Sequence, residues 1–280
     1  MDKAELKNRI LGAFSNCGGT NLRGSRYAGR LAREADALTM TEILGIGHSL
    51  IFQNGVRKTT APQRNAPLFD RVLSHGVLGA ARPIRVLDVG ASFGIDAIST
   101  RERLARDYTV SEYVLGDLFT RIFVDDARGL VFDEDGALLQ VRLPIGFVAT
   151  NFSFNYSFQR VLTLPQRVLP ALMRRRYRFD RTTALREIPL VHPALHAGEG
   201  DSPFRQMRMN VFEPPRGETF DFIVCMHLLV DRYFDEATRM RGRQALTSML
   251  RPGGALVVGA ADDFTVIGKS NDGSTRVVRV

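Results

Sequence analysis

The chain has 280 residues, a formal net charge of +8 at pH 7, and hydrophobic side chains at 44% of its positions. This length suits one large domain or a domain with an appendage, with ample apolar material for a core. Its 2 cysteines exclude a disulfide framework, and no apolar run approaches the roughly 20 residues that span a bilayer. The charged start, MDKAELKNRIL, lacks the apolar core of a signal peptide. We therefore expect a cytoplasmic protein whose positive charge favours acidic partners.

The first 82 residues indicate helices interrupted by glycine, then a polar loop over 53–67 and a short helix before Pro83. We expect this helical segment to act as a lid. From Pro83 onward, predicted strands and helices alternate, which is typical of an α/β protein. The predicted order is strand IRVLDVG, a helix from Ile95 to about Tyr108, strand EYVLGDLF, an insertion over 120–203, strands FRQMRMNVF and FDFIVCMHLL, a helix through about Met249, strand ALVVGA and a terminal hairpin around Asn-Asp-Gly.

The segment Gly90–Gly94 reads G-x-S-x-G and lies between the first strand and the first helix of the α/β region. This pattern is typical of the nucleophile elbow of serine hydrolases, in which an acid and then a late histidine follow the serine. Here the last histidine, His227, stands at a strand end with a helix and further strands still to come. The region before Ile84 also looks mainly helical, whereas a hydrolase has strands there. A nucleophilic Ser92 is therefore disfavoured.

A cofactor loop makes better use of the neighbouring residues. Glycines after a buried strand let the backbone approach a ligand closely, and the helix beginning near Ile95 offers free N–H groups. The next strand ends at Asp117, whose carboxylate can accept hydrogen bonds from both hydroxyls of a ribose. A nicotinamide dinucleotide would need a third glycine near Asp96, where a carboxylate repels its pyrophosphate. A ligand with a carboxylate and an ammonium, but no phosphate, suits the loop better.

Four segments in this order, VLDVGASFG, VLGDLF, FDFIVCMHLL and LRPGGALVVGA, resemble the class I S-adenosylmethionine-dependent methyltransferases. The resemblance covers residues 83–119 and 204–280, and its closest local likeness is to the chemotaxis-receptor glutamate methyltransferases. It implies a Rossmann-like α/β fold with a mostly parallel seven-stranded sheet, a methyltransferase domain at 83–280, and a β-containing insertion after the second strand. It departs at Cys225-Met226-His227, where the chemotaxis enzymes have Cys-Arg-Asn.

The resemblance also implies a site for S-adenosylmethionine, with S-adenosylhomocysteine as the product. The methionine end of the cofactor would lie at the glycine loop, the ribose on Asp117, the adenine near Leu118 and Asn210, and the methyl group beside His227, the candidate catalytic residue. The residues expected to contact the cofactor are Asp88, Gly90, Ala91, Ser92, Gly94, Asp117, Leu118, Asn210, Val211, Met226 and His227.

Structural roles are open for several of these residues. Asp88 and Asp117 are also consistent with caps at strand ends. Asn210 is consistent with an ordinary turn residue, and His227 with a histidine that has only a structural role. Methyl transfer needs an aligned acceptor, and a general base only when that acceptor arrives protonated. The leading hypothesis is a small-molecule or peptide oxygen or nitrogen acceptor. The alternatives are a protein carboxylate, or a methyltransferase-like binding protein without turnover.

The insertion at 120–203 is where we expect acceptor choice to be determined. GLVFDEDGALLQV predicts a hairpin around Asp133–Gly136, whose acidic residues lack the spacing of a calcium loop, so we expect no metal site. NFSFNYSF alternates aromatic residues over 152–158, which favours a core-facing strand or an apolar wall for an acceptor. A basic cluster follows and is either solvated or a contact for anionic lipid or nucleic acid: Arg174, Arg175, Arg176 and Arg178.

Overall fold

The computed structural model describes residues 52, 58, 60, 62–78, 83–125, 127–128, 130–142, 148–150, 179, 185–192, 195, 203–261 and 263–278. These residues divide into two compact units, one from 60–120 and 191–280 and the other from 1–59 and 121–190. The aromatic alternation at 152–158, the arginines at 174–178 and most of the N-terminal segment lie outside the described residues. The expectations attached to them stay predictions.

Three helices and twelve strands are described, and they are numbered in chain order. They are α1 (Ala66–Ser74), β1 (Ile84–Val89), α2 (Ile95–Leu104), β2 (Val110–Asp117), β3 (Arg121–Asp125), β4 (Leu130–Asp133), β5 (Leu138–Arg142), β6 (Val148–Thr150), β7 (Arg186–Pro189), β8 (Phe204–Arg208), β9 (Phe220–Met226), α3 (Glu236–Ser248), β10 (Leu250–Ala260), β11 (Asp263–Lys269) and β12 (Thr275–Val278).

A seven-stranded sheet in the order β12-β11-β10-β9-β1-β2-β8 forms the larger unit. The strands from β8 to β10 pair in parallel, whereas β11 is antiparallel to both β10 and β12. The predicted α/β class with a mostly parallel, Rossmann-like seven-stranded sheet is therefore confirmed. From β1 the chain moves through β2 to β8 at one edge and then returns to β9 on the other side of β1. The strand order thus reverses between β1 and β9, where open α/β sheets bind their ligands.

Both faces of the central strands are covered, which explains their nearly continuous apolar sequences. Val86 lies in one buried cluster with Phe69 of α1 and Ala97 of α2. Its neighbour Leu87 lies in a second cluster with Leu246 of α3. Because successive strand residues point to opposite faces, α1 and α2 cover one face of the sheet and α3 covers the other. The carboxyl ends of the parallel strands, β8, β2, β1, β9 and β10, therefore lie along one edge of the sheet, between the two helical layers.

Two element boundaries differ from the sequence prediction. Helix α2 ends at Leu104 rather than near Tyr108, and a turn follows in which the Leu104 carbonyl accepts hydrogen bonds from the N–H groups of Asp107 and Tyr108, at 3.1 and 2.9 Å. Strand β10 begins before the RPGG turn: Leu250 pairs with Phe220, and the register then shifts. A Cβ at Gly254 in this bulge would lie 2.7 Å from the Asp221 carbonyl oxygen, so the bulge requires glycine there.

The terminal hairpin is confirmed, since β11 and β12 pair across the Asn271–Gly273 turn. No described helix is long and apolar enough to cross a membrane. Among the same residues, no cluster of three or more His, Cys, Asp or Glu side chains is suited to a metal ion. The domain division at residue 82 stays a prediction.

The smaller unit contains an antiparallel sheet in the order β6-β5-β4-β3-β7. It lies between β2 and β8 in the sequence, so the expected β-containing insertion after the second strand is present. The predicted hairpin joins β4 and β5, and Asp133 Oδ1 accepts hydrogen bonds from the Asp135 and Ala137 N–H groups, at 3.0 and 2.8 Å. This acidic segment therefore forms a turn. Phe132 and Phe179 pack in the apolar cluster of this unit.

Candidate cofactor and acceptor site

The glycine loop between β1 and α2 is bound to the end of the neighbouring strand. The Gly90 N–H donates to the Gly116 carbonyl at 2.7 Å, and Gly90 and Gly94 have φ values of 74° and 71°. These left-handed conformations are the ones that glycine adopts without steric cost. Gly94 is also the N-cap of α2. The loop thus turns sharply at the carboxyl end of β1 and presents the first turn of a helix.

Asp117, at the end of β2, lies against this loop. Its Oδ2 accepts a hydrogen bond from the Ser92 N–H at 3.0 Å, and its Oδ1 accepts one from the Phe119 N–H at 3.3 Å. A carboxylate has roughly four acceptor positions, so holding the loop is compatible with also binding a ligand's hydroxyls. Asp117 can therefore cap the end of the strand and bind a ligand at the same time.

Asp88, near the end of β1, is the most strongly perturbed carboxyl group of the loop region. Burial raises the pKa of Asp88 to about 7, repulsion from Asp96 and Asp117 adds to the increase, and the hydrogen bond from Tyr113 opposes it. The Tyr113 hydroxyl lies 3.4 Å from Asp88 Oδ2 and is itself fully buried. Near neutral pH the carboxyl group therefore exists in both protonation states, and a cationic ligand would favour the ionised one.

Asp96 occupies the first turn of α2 and is only 8% exposed. The Asn65 side chain donates to its Oδ2 at 2.6 Å, the Ser99 hydroxyl donates to its Oδ1 at 3.3 Å, and burial raises its pKa. A buried carboxyl group thus stands directly after Ile95, the position that the third glycine of a dinucleotide loop would occupy when the motif is counted from Gly90. This placement is what disfavoured a pyrophosphate ligand on sequence grounds.

Ser92 combines a strained backbone with an unsatisfied side chain. Its φ is 60°, an unfavourable conformation for a residue with a Cβ. Its buried Oγ makes no hydrogen bond within the described part of the chain. No described base is therefore hydrogen-bonded to it, unlike the serine of a hydrolase triad. Strain and an unpaired polar atom in one loop residue are typical of a binding site rather than of a structural turn.

We expect Ser92→Gly to raise the free energy of unfolding of the unliganded protein by about 1–2 kcal/mol. The change removes the left-handed strain and the buried hydroxyl, partly offset by the greater freedom of glycine in the unfolded chain. Ser92→Ala is the matched control, because it removes only the hydroxyl and should stabilise less. Urea denaturation measures both. If the wild-type protein had an esterase activity that a folded Ser92→Ala protein lost, the hypothesis that Ser92 is the nucleophile of a serine hydrolase would be supported instead.

His227, which follows β9, shows the same combination of features. Its φ is 63°, its N–H donates to the Gly259 carbonyl at 2.6 Å, and its buried Nε2 has no hydrogen-bond partner among the described residues. Burial, together with the positive charges of Arg64 and Arg232, lowers the pKa of His227 to about 4. The imidazole is therefore neutral at pH 7. The structural-histidine reading does not account for its unpaired nitrogen.

The other expected cofactor contacts have mixed surroundings. The side chains of Ala91, Val211 and Met226 are at most 8% exposed and belong to the buried apolar clusters. Leu118 lies directly after Asp117 and is partly exposed. Asn210 Oδ1 accepts a hydrogen bond from the Phe212 N–H at 3.1 Å, the arrangement of a turn residue. The cofactor contacts assigned to all of these residues stay predictions.

A cavity of about 290 Å³ opens beside His227. The ends of β9 and β10, the beginning of β11, helix α3 and the turn before α1 all contribute to its wall. Four arginines and two aspartates line it, in addition to His227: Arg64, Arg232, Arg239, Arg243, Asp231 and Asp263. The cavity thus lies at the carboxyl ends of β9 and β10 and is predominantly basic.

No protein-family model matches the chain, and no curated protein matches it. Among solved structures, it is similar to the N-methyltransferase NodS from Bradyrhizobium japonicum WM9 in complex with S-adenosyl-L-homocysteine, with 17% identity over 70% of this chain and 59% of that one, and a TM-score of 0.31. An O-methyltransferase family protein from Burkholderia thailandensis matches 83% of this chain and 49% of its own, with 13% identity and a TM-score of 0.36.

The [4+2]-cyclase SpnF matches 71% of this chain and 46% of its own, with 16% identity and a TM-score of 0.30. The chain therefore spans about half the length of these solved proteins. At such scores, no likeness carries an argument about this chain. The fold follows from its own strand order.

The arginines of the cavity are not among the site residues predicted from the sequence. Arg239 and Arg243 are four residues apart, so they lie on one face of α3, and that spacing is a readable signal. Arg64 lies more than 160 residues before His227 in the chain, and nothing in the sequence connects the two. Leu228 is not among the predicted site residues either. It lies against the glycine loop, with its Cδ2 3.3 Å from the position that a Cβ of Gly90 would take.

Proposed function

We propose that this protein is an S-adenosylmethionine-dependent methyltransferase of class I that acts on an oxygen or nitrogen of a small molecule or peptide. The observation that supports it most is the position of Asp117. This carboxylate ends the strand next to β1 and contacts the loop backbone at Ser92. Because β1 and β2 are parallel, Asp88 and Asp117 lie near the same edge of the sheet, where the glycine loop follows β1.

The residues of this loop fit the cofactor's polar groups. Asp88, when ionised, suits an ammonium group, and the unpaired Ser92 hydroxyl suits a carboxylate or ammonium nearby. Asp117 suits the ribose hydroxyls. S-adenosylmethionine, when bound, supplies an activated methyl group on a sulfonium. What remains for the protein is to orient the acceptor, to exclude water and, where the acceptor carries a proton, to accept it.

His227 is the residue we propose for that proton. Its neutral imidazole has an unpaired Nε2, and the residue lines the cavity, so it can accept a hydrogen bond from an acceptor hydroxyl and take its proton as the oxygen becomes methylated. A carboxylate acceptor, as in the alternative of protein carboxylate methylation, would need no base. A binding protein without turnover would need neither a base nor an accessible acceptor cavity. The cavity at His227 favours an enzyme over such a binding protein.

We expect Asp117→Asn to weaken S-adenosylhomocysteine binding by about 10- to 30-fold, because the amide keeps an acceptor for the Ser92 N–H but loses the charge that strengthens hydrogen bonds from the ribose. Isothermal titration calorimetry at pH 7.5 measures the dissociation constant.

Asp107→Asn is the matched control for this measurement. Asp107 is exposed and pairs with Arg103, away from the loop. The control should bind like the wild-type protein. If the wild-type protein binds neither S-adenosylmethionine nor S-adenosylhomocysteine at millimolar concentration, the proposed function is wrong. If Asp117→Asn binds as tightly as Asp107→Asn, the assigned ribose contact is wrong.

A further inference from the structure

Three residues that line the cavity beside His227 each have a buried nitrogen atom that makes no hydrogen bond within the described residues. These atoms are Nε2 of His227, Nε of Arg239 and Nε of Arg243. Buried donors without partners are rare, and each costs about 1–3 kcal/mol of desolvation free energy. The two arginine nitrogens are N–H donors, so they indicate that the cavity is suited to a group that accepts hydrogen bonds.

The charges around the cavity identify that group as an anion. Arg64 and Arg232 lie close enough to depress the pKa of His227, so their positive charges act on the same space as the unpaired nitrogens. Arg239 pairs with Glu236 through an outer nitrogen, and its buried Nε has no hydrogen-bond partner among the described residues. Asp231 and Asp263 also line the cavity, so four arginines face two carboxylates and the balance is positive.

The shape and the donors favour an oxyanion. Arginine side chains offer planar N–H donors that match carboxylate and phosphate oxygens, often as bidentate pairs. A volume of about 290 Å³ is at the small end of the range for ligand pockets, so it suits a compact charged group with part of its carrier molecule.

We propose that this cavity binds a carboxylate or phosphate group of the methyl acceptor. The proposal rests on the proposed methyltransferase function, because the cavity shares His227 with the expected methyl-transfer site. It specifies the acceptor class as an anionic small molecule or peptide, held by Arg239 and Arg243 through a group other than the atom that is methylated. Arg64 and Arg232 increase the local concentration of such acceptors.

The test uses inorganic phosphate and acetate as probes of the wild-type protein at constant ionic strength. Titration calorimetry and thermal melting should show saturable binding of at least one anion, with a melting temperature raised by a few degrees at saturation. Tighter binding of phosphate supports a phosphate ester as acceptor, and tighter binding of acetate supports a carboxylate. Arg243→Gln and Arg239→Gln should each weaken the tighter anion by about tenfold, which is roughly 1.4 kcal/mol.

Arg241→Gln is the matched control, because Arg241 is on the same helix, stacks over the Phe212 ring and does not line the cavity. It should leave anion binding unchanged. Two results would overturn the proposal: no saturable binding of either anion to the wild-type protein, or equal anion affinities in the Arg239, Arg243 and Arg241 variants. S-adenosylhomocysteine binding is measured on the same samples. Its absence contradicts the methyltransferase function, whereas its presence without anion binding contradicts only the anion site.

Discussion

Asp88→Asn should raise the free energy of unfolding of the unliganded protein by about 3–4 kcal/mol at pH 8 and, at the same pH, weaken S-adenosylmethionine binding. Burial holds the pKa of Asp88 near 7, compared with an ordinary value of 3.8. About 1.4 kcal/mol accompanies each unit of such a difference. An asparagine side chain keeps an acceptor for the Tyr113 hydroxyl and has no charge to desolvate. The opposite effects on stability and on binding distinguish a functional carboxylate from a structural one.

The sign of the pH dependence follows from the direction of the shift. Between about pH 4 and pH 7, the unfolded chain has already lost the Asp88 proton, whereas the folded protein keeps it. The folded state therefore binds more protons, and its stability falls as the pH rises through this range. The stability advantage of Asp88→Asn should shrink toward zero as the pH falls to about 4. Urea denaturation at pH 4, 6 and 8 measures this difference directly.

The affinity for the cofactor should rise with pH, whereas the stability of the unliganded protein falls. If the ionised Asp88 holds the ammonium of the cofactor, the affinity of the wild-type protein rises by about tenfold between pH 6 and pH 8, and protons are released on binding. Asp88→Asn should bind more weakly and without this dependence. Asp107→Asn, which removes an exposed carboxylate, serves as the control. A wild-type affinity that is flat over this range, or an Asp88→Asn protein less stable than wild type at pH 8, would contradict the role assigned to Asp88.

Gly94→Ala should lower the free energy of unfolding by about 2–4 kcal/mol. Alanine at a φ of 71° costs about 1–2 kcal/mol on its own. The new Cβ would also lie 2.6 Å from Leu195 Cδ1 and 3.0 Å from Leu115 Cδ1. Both leucines are at most 4% exposed and packed in the same apolar cluster, so they cannot move aside without disturbing the core. The steric term should therefore add to the backbone term.

Gly217→Ala isolates the backbone term of this prediction. Gly217 has a φ of 84°, and no described atom lies within 4 Å of the position its Cβ would take. Its substitution should cost only about 1–2 kcal/mol. The difference between the two variants, measured by urea denaturation, reports the contact with the two leucines. Equal losses in the two variants would show that the loop can shift away from Leu195 at no cost.

Several features could be read from local sequence because local chemistry specifies them. IRVLDV predicted a central buried strand, since a strand covered on both faces is apolar almost throughout. Asn-Asp-Gly predicted the terminal hairpin, because its turn needs a residue in the left-handed region, and Gly273 has a φ of 85°. The strand–loop–helix order around Gly90 likewise placed the candidate loop at the carboxyl end of a strand. In these cases, the residues that decide the structure are neighbours in the chain.

Other features depend on residues that only the fold brings together. Parallel pairing of β1 with β2 places Asp117 against the Ser92 N–H. The Asp88 pKa is raised by burial and by the charges of Asp96 in α2 and Asp117 in β2. The basic cavity joins Arg64 to α3 and the ends of β9 and β10.

The sequence by itself determined the α/β class, the strand–loop–helix motif and the two carboxylates of the candidate site, because these depend on periodicity and turn chemistry within short segments. Only the tertiary structure decided that the Ser92 hydroxyl and the His227 Nε2 are buried without partners among the described residues, and that arginines surround the latter. Burial and electrostatic potential are sums over residues far apart in the chain. They take definite values only once the sheet has formed.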